Sequence, residues 1–119
     1  MGQSLGRALI VEDDPMLQRL LAELIEEMGY SVTSAEDAEN ARKAIHDREF
    51  QFLLTDLKLQ NDQVAGLALA TEIRTENADM RIVIVSGYPM PLDLPPETLF
   101  LQKPFTILQL QSLIGSPPS

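Results

Sequence analysis

Apolar positions fall into two alternating periods along the chain. Ala8-Leu9-Ile10-Val11, within a segment from Arg7 to Val11, is an unbroken apolar run of strand length that stops at Glu12-Asp13-Asp14. Such a run is expected of a strand buried on both faces. Asp14-Pro15 then reads as an N-cap and a first helical residue, because proline gives up no hydrogen bond where the N–H has no helical partner anyway. Leu17, Leu20, Leu21, Leu24, Ile25 and Met28 follow at helical spacing, and Gly29 is placed to end that helix. Tyr30 to Ser34 alternates weakly as a second strand. Asp37 caps a second helix to about Asp47, with Ala38, Ala41 and Ile45 as a thin apolar face. Phe50 to Thr55 is another buried-strand run, ending at Asp56.

The polar stretch Gln60-Asn61-Asp62-Gln63 precedes a third helix from Val64 to Glu76, carrying Leu67, Ala70, Ile73 and Arg74. Arg81 to Val85 is the most β-branched segment, hence a central strand, and it runs into Ser86-Gly87. From Pro89 to Pro96 there are four prolines in eight residues, which excludes a regular helix or a central strand. Leu99 to Gln102 is a short strand before Lys103-Pro104. Thr106-Ile107-Leu108-Gln109 has the capping-box form and opens a last helix to Ile114. Strands alternating with helices predict a parallel sheet covered on both faces, with reactive groups beyond the carboxyl ends of its strands. The residues at those ends are Glu12, Asp13, Asp56, Ser86 and Lys103.

Composition narrows what these residues can do. The 119 residues suffice for one domain, and 45 % are apolar, as in a folded protein. The absence of Cys removes disulfides, thiolate metal sites and cysteine nucleophiles. A net charge of −9 with no Trp argues against direct nucleic-acid or anionic-membrane partners. No apolar run approaches membrane-span length and no signal peptide is legible, so a cytoplasmic protein is expected. Met1-Gly2-Gln3-Ser4-Leu5-Gly6 opens like a myristoylation site, but Gly stands where Ser or Thr belongs.

Carboxylates gathered from two strand ends repel and raise one another's pKa unless a cation joins them. An all-oxygen set without His or Cys suits Mg²⁺, with Mn²⁺ as an alternative, and not Zn²⁺. Mg²⁺ shares its sphere with phosphate oxygens, which points to phosphoryl chemistry. A phosphorylated Asp56 beside Glu12, Asp13 and a divalent ion would carry about two surplus negative charges. The Lys103 ammonium would remove one, and Ser86 could hydrogen-bond a phosphoryl oxygen. Taken singly, these residues read as helix caps, turn residues and proline-turn punctuation. Their joint placement at strand ends in compatible order carries the inference.

In its blocks Leu9-Ile10-Val11-Glu12-Asp13-Asp14-Pro15, Leu53-Leu54-Thr55-Asp56-Leu57, Ile84-Val85-Ser86-Gly87-Tyr88 and Leu101-Gln102-Lys103-Pro104-Phe105, the chain resembles the receiver domain of two-component response regulators. The resemblance implies a flavodoxin-like doubly wound α/β fold, a five-stranded parallel sheet of order 2-1-3-4-5. It spans residues 7–114, between tails at 1–6 and 115–119. It also implies that Asp56 accepts a phosphoryl group from a histidine kinase or a histidine phosphotransfer protein. Asp13 would bind Mg²⁺ directly, Glu12 would act through a metal-bound water, and Lys58 would offer its backbone carbonyl while its side chain faces solvent. Ser86 falls at the switch hydroxyl position, Lys103 at the phosphate-binding lysine, and Phe100 at the switch aromatic, where it equally fits plain core. The Lys103-Pro104 bond is expected to be cis.

Two features depart from the family pattern. Gly66 lies ten residues after Asp56, two later than usual, and the intervening loop has no proline. Lys103 follows Ser86 by seventeen positions that include Pro89, Pro91, Pro95 and Pro96, so the fourth helix should be shortened or replaced by a loop. Such short segments resemble receivers attached to hybrid sensor kinases, so an excised receiver or a free single-domain regulator is expected, monomeric or weakly dimeric. No output domain follows Ile114, so a transcription factor is not expected. Nor is an enzyme beyond self-phosphorylation and self-dephosphorylation. The competing readings are a receiver-like interaction domain acting without phosphorylation and an Mg²⁺-dependent phosphatase with an aspartyl nucleophile. The latter pattern asks for a second Asp where this chain has Lys58.

Overall fold

Three mainly apolar runs build the centre of the sheet. In the computed structural model, which describes residues 5–114, they form β1 (Arg7–Val11), β3 (Phe52–Asp56) and β4 (Arg81–Ser86). All five residues of β3 are buried. The edges are β2 (Ser31–Ala35) and β5 (Thr98–Gln102), whose burial is patchier. The sheet is parallel throughout, in the expected order β2-β1-β3-β4-β5.

Side chains alternate across the sheet and feed two cores. Leu9, Leu53, Ile82 and Ile84 pack on one face under α2 (Ala38–Asp47) and α3 (Ala65–Glu76), which contribute Ala41, Leu69, Ala70 and Ile73. Ala8, Ile10, Phe52, Leu54, Val83 and Val85 pack on the other under α1 (Pro15–Glu27) and α4 (Ile107–Ile114), which contribute Leu21, Ile25, Leu110 and Ile114. Leu20, placed by spacing on the apolar stripe of α1, is instead 51 % exposed. It lines a groove with Leu17, Leu24, Pro104, Phe105 and Ile107, because α4 is too short to cover that flank of α1.

Helix ends follow the capping residues. Asp14 accepts from the N–H groups of Met16 and Leu17, and Asp37 from that of Asn40. Thr106 and Gln109 make the reciprocal capping-box pair: Thr106 N–H donates to Gln109 Oε1 at 2.8 Å, and Gln109 N–H donates to Thr106 Oγ1 at 3.0 Å. Gly29, at φ 110°, turns the chain out of α1 into β2. Strand boundaries shift by one or two residues from the sequence reading: β2 starts at Ser31, β3 at Phe52, and β4 includes Ser86.

Leu5 and Gly6, assigned by sequence to the N-terminal tail, are tied to the fold: Leu5 N–H donates to Gly29 O, and Gly6 O accepts from Ser31 N–H. Most of the myristoylation-like stretch and the tail at 115–119 lie outside the described residues. Among the described residues no helix is long and apolar enough to cross a membrane.

No helix forms between β4 and β5. Residues 87–97 run irregularly, and Arg74 of α3 fastens their far end. Its guanidinium donates to the carbonyls of Pro96 (2.9 Å) and Glu97 (3.2 Å), and also to those of Asn77, Ala78 and Met80 before β4. One cation thereby satisfies five carbonyls, two at the end of the proline-rich segment and three in the stretch before β4.

Candidate functional site

The carboxyl ends of β1 and β3 are adjacent because β1 pairs directly with β3. That adjacency gathers Glu12, Asp13 and Asp56, whose candidate ligand oxygens all lie within 4.8 Å of one another. Glu12 is 2 % exposed and Asp56 9 % exposed. Burial pushes the Glu12 carboxyl up to about 7, an effect reinforced by the charge of Asp56 and by Asp13, and opposed by the Asp14 N–H and by Lys103. Asp14 N–H donates to Glu12 Oε2 at 3.1 Å.

β5 brings in the cation. Lys103 Nζ lies 3.1 Å from Asp56 Oδ2 and 3.5 Å from Glu12 Oε1. Its position is set by the backbone: Lys103 N–H donates to Ser86 O at 2.7 Å, one step beyond the β4–β5 ladder, and the Lys103-Pro104 peptide bond is cis. Leu57 N–H likewise donates to Val85 O at 2.9 Å and prolongs the pairing of β3 past Asp56. The Ser86 hydroxyl is buried at the end of β4 and accepts from Tyr88 N–H at 2.9 Å. Phe100 pairs with Ile84 in the ladder and packs half-buried against the core beneath α2 and α3, beside the site rather than in it. Lys58 sits half-buried in the bend that follows Asp56. His46 is exposed on α2, apart from the cluster.

These residues fit a small divalent cation. Three carboxylates meet with one ammonium between them, so the cluster carries more negative than positive charge. The donor set is all oxygen, the preference of Mg²⁺ and Mn²⁺.

Of three further contributors, Gln18 and Gln60 were not legible in the sequence, and Gly66 was marked only by its spacing from Asp56. Gln18 reaches back from α1, its side-chain amide donating to Glu12 O (2.9 Å) and Ala35 O (3.2 Å), and so holds the ends of β1 and β2 together. Gly66 is forced by contact: a Cβ there would stand 1.8 Å from the Asp56 carbonyl oxygen. Gln60 donates its backbone N–H to Asp13 Oδ2 at 2.9 Å. A glycine opening a helix soon after a strand-end carboxylate is a usable signal for the second. A backbone bond such as that of Gln60 leaves no mark in residue type.

Known proteins agree with this arrangement. A family model described as the response regulator receiver domain matches residues 8–95. The chain is 35 % identical over 80 residues to the nitrogen assimilation regulatory protein NtrX of Azorhizobium caulinodans, covering 67 % of this chain but only 18 % of that protein. It is 28 % identical over 109 residues to the response regulator receiver protein CpdR of Brucella abortus, covering 87 % of this chain and 89 % of that one. The structure of a CheY-like response regulator receiver domain from Methylobacillus flagellatus superimposes with a TM-score of 0.80 at 29 % identity, covering 97 % of this chain and 100 % of that one. On sequence, topology and extent, the chain belongs to the response regulator receiver domain family.

Proposed function

We propose that the chain is a phosphoacceptor: Asp56 takes a phosphoryl group from phosphohistidine on a histidine kinase or a histidine phosphotransfer protein, the partners with which receiver domains interact. The observation that carries this reading is Lys103 Nζ at 3.1 Å from Asp56 Oδ2, on a carboxylate that shares its surroundings with Glu12 and Asp13. An Asp56 oxygen attacks phosphorus, the P–N bond breaks, and the imidazole leaves with the electron pair and takes up a proton. Mg²⁺, which the family generally binds at its acidic pocket, would neutralise phosphoryl oxygens when held by Asp13, Asp56, the Lys58 carbonyl and, through water, Glu12. Lys103 balances a further charge and orients the accepting oxygen.

Ser86 would donate its hydroxyl hydrogen to a phosphoryl oxygen while still accepting from Tyr88 N–H, a bond that supports passage of the state of Asp56 to the start of the 87–97 segment. In this reading the chain signals by protein contact and turns over only its own aspartyl phosphate, in the cytoplasm where ATP-charged donors are made. Intact-mass measurement after incubation with acetyl phosphate tests it. One phosphoryl adduct is expected on the wild type with Mg²⁺, and none on Asp56→Asn or without Mg²⁺. An adduct of equal rate on Asp56→Asn removes the assignment.

A further inference from the structure

The segment between β3 and α3 bridges a gap whose far end is pinned. Gly66 N–H donates to Leu57 O at 2.8 Å, and its Cα lies against the Asp56 carbonyl, so the residues between must fold within a fixed span. They do so as a hairpin. Leu59 and Asp62 exchange backbone hydrogen bonds of 3.1 and 3.0 Å, and Gln60 takes a left-handed φ of 58°. That conformation is unfavourable for a residue with a side chain and persists where neighbouring contacts enforce it. Those contacts lie across the site: the Gln60 N–H donates to Asp13 Oδ2 at 2.9 Å, and its side-chain amide donates to Glu36 O at 3.3 Å.

Asp13 is therefore not a freely rotating carboxylate. One of its oxygens is committed to a main-chain N–H on a hairpin that is itself cross-bonded. Ligation through both oxygens would have to draw Oδ2 away from that N–H, so the arrangement leaves Oδ1 as the readily available ligand atom. Mg²⁺ accepts single-oxygen carboxylate ligands in a compact octahedron, whereas Ca²⁺ takes more ligands at longer distances and often uses both oxygens of a carboxylate.

We propose that the 59–62 hairpin is a cation-selecting device, in which the Gln60 main-chain N–H restricts Asp13 to single-oxygen ligation and so favours Mg²⁺ over Ca²⁺. The inference rests on the reading of Glu12, Asp13 and Asp56 as a cation site. Gln60 is a positioning residue that acts through Asp13. Since the acting group belongs to the backbone, the side chain at this position matters less than the length of the loop.

Calorimetric titration of Mg²⁺ and Ca²⁺ into the full chain tests this, using wild type, Gln60→Gly and a variant lacking Gln60 and Asn61. Gln60→Gly keeps the N–H and tolerates the left-handed φ, so its preference for Mg²⁺ should match the wild type. The shortened loop should lose about tenfold in Mg²⁺ affinity, the usual scale when a ligand's orienting partner is removed, and much less in Ca²⁺ affinity. An unchanged ratio in a folded shortened variant overturns the proposal. Should that variant fail to fold, hydrogen exchange of the Gln60 amide in the wild type decides: protection that survives Mg²⁺ saturation supports the device, and exchange at the rate of an open loop overturns it. Wild type that binds no Mg²⁺, or binds it equally well with Asp13→Asn, overturns the cation site itself, a separate outcome.

Discussion

The two loops that flank Asp56 solve the same problem by opposite means. Residues 57–65 are held from within by the Leu59–Asp62 backbone pair, and their tip is bonded to a carboxylate of the site. Residues 87–97 have no internal ladder and are held at their start by Tyr88 N–H on Ser86 Oγ and towards their end by the Arg74 guanidinium and by Leu94, which packs on the core. Between those ends Met90 and Leu92 stand exposed. The first loop cannot move without disturbing Asp13. The second can rearrange in the middle while the sheet beneath it stays intact. Coupling to chemistry is thus a matter of where a loop is bonded, not of how long it is.

Substitutions at the anchor points separate the two. Gly66→Ala should have the larger effect, because its Cβ would collide with the Asp56 backbone, which cannot yield cheaply. A loss of about 3 kcal/mol in stability is expected, at the upper end for overpacking, together with slower phosphoryl uptake from acetyl phosphate. Denaturant unfolding and adduct mass report the two effects. Arg74→Ala comes next: five carbonyls lose a charged donor, costing about 2 kcal/mol. Amides of 88–97 should exchange faster while uptake at Asp56 keeps its rate. If Arg74→Ala slows uptake as much as Gly66→Ala does, the second loop is bonded into the chemistry after all.

A third effect concerns pH. Glu12 holds its proton to about pH 7 in the fold and to its ordinary 4.5 when unfolded, so across that window the folded state binds the proton more tightly. The ion-free protein should therefore lose stability as pH rises through the window, then level off. The melting temperature of Glu12→Gln should lack this component. A wild type and a Glu12→Gln protein that shift in parallel across the window would show that Glu12 ionises as if in water.

The sheet was largely legible in the sequence because continuous runs such as Ile82-Val83-Ile84-Val85 admit little but a buried strand, and because Asp14, Asp37 and Thr106 mark helix starts. The convergence of Glu12, Asp13 and Asp56 followed from the same reading, since polar residues that stop neighbouring buried strands must share one end of the sheet. Arg74 escaped it: on a helix surface an arginine reads as solvated, and only the folding of residues 77–80 and 96–97 around it gives it five acceptors. Gln60 escaped for a stricter reason, as its contribution comes from an amide that every residue but proline carries. Leu20 misled because helical spacing says which residues line up and not how far the facing helix extends.

The Lys103–Glu12 pair joins positions 91 residues apart in the chain. During synthesis the carboxylates of β1 and β3 emerge well before the strand that delivers the ammonium, and contacts of such separation form late in folding. A nascent chain that stops short of β5 holds its acids without their counter-charge. The last strand thus works as a completion mark: the acidic cluster gains its ammonium only once β5 lies beside β4.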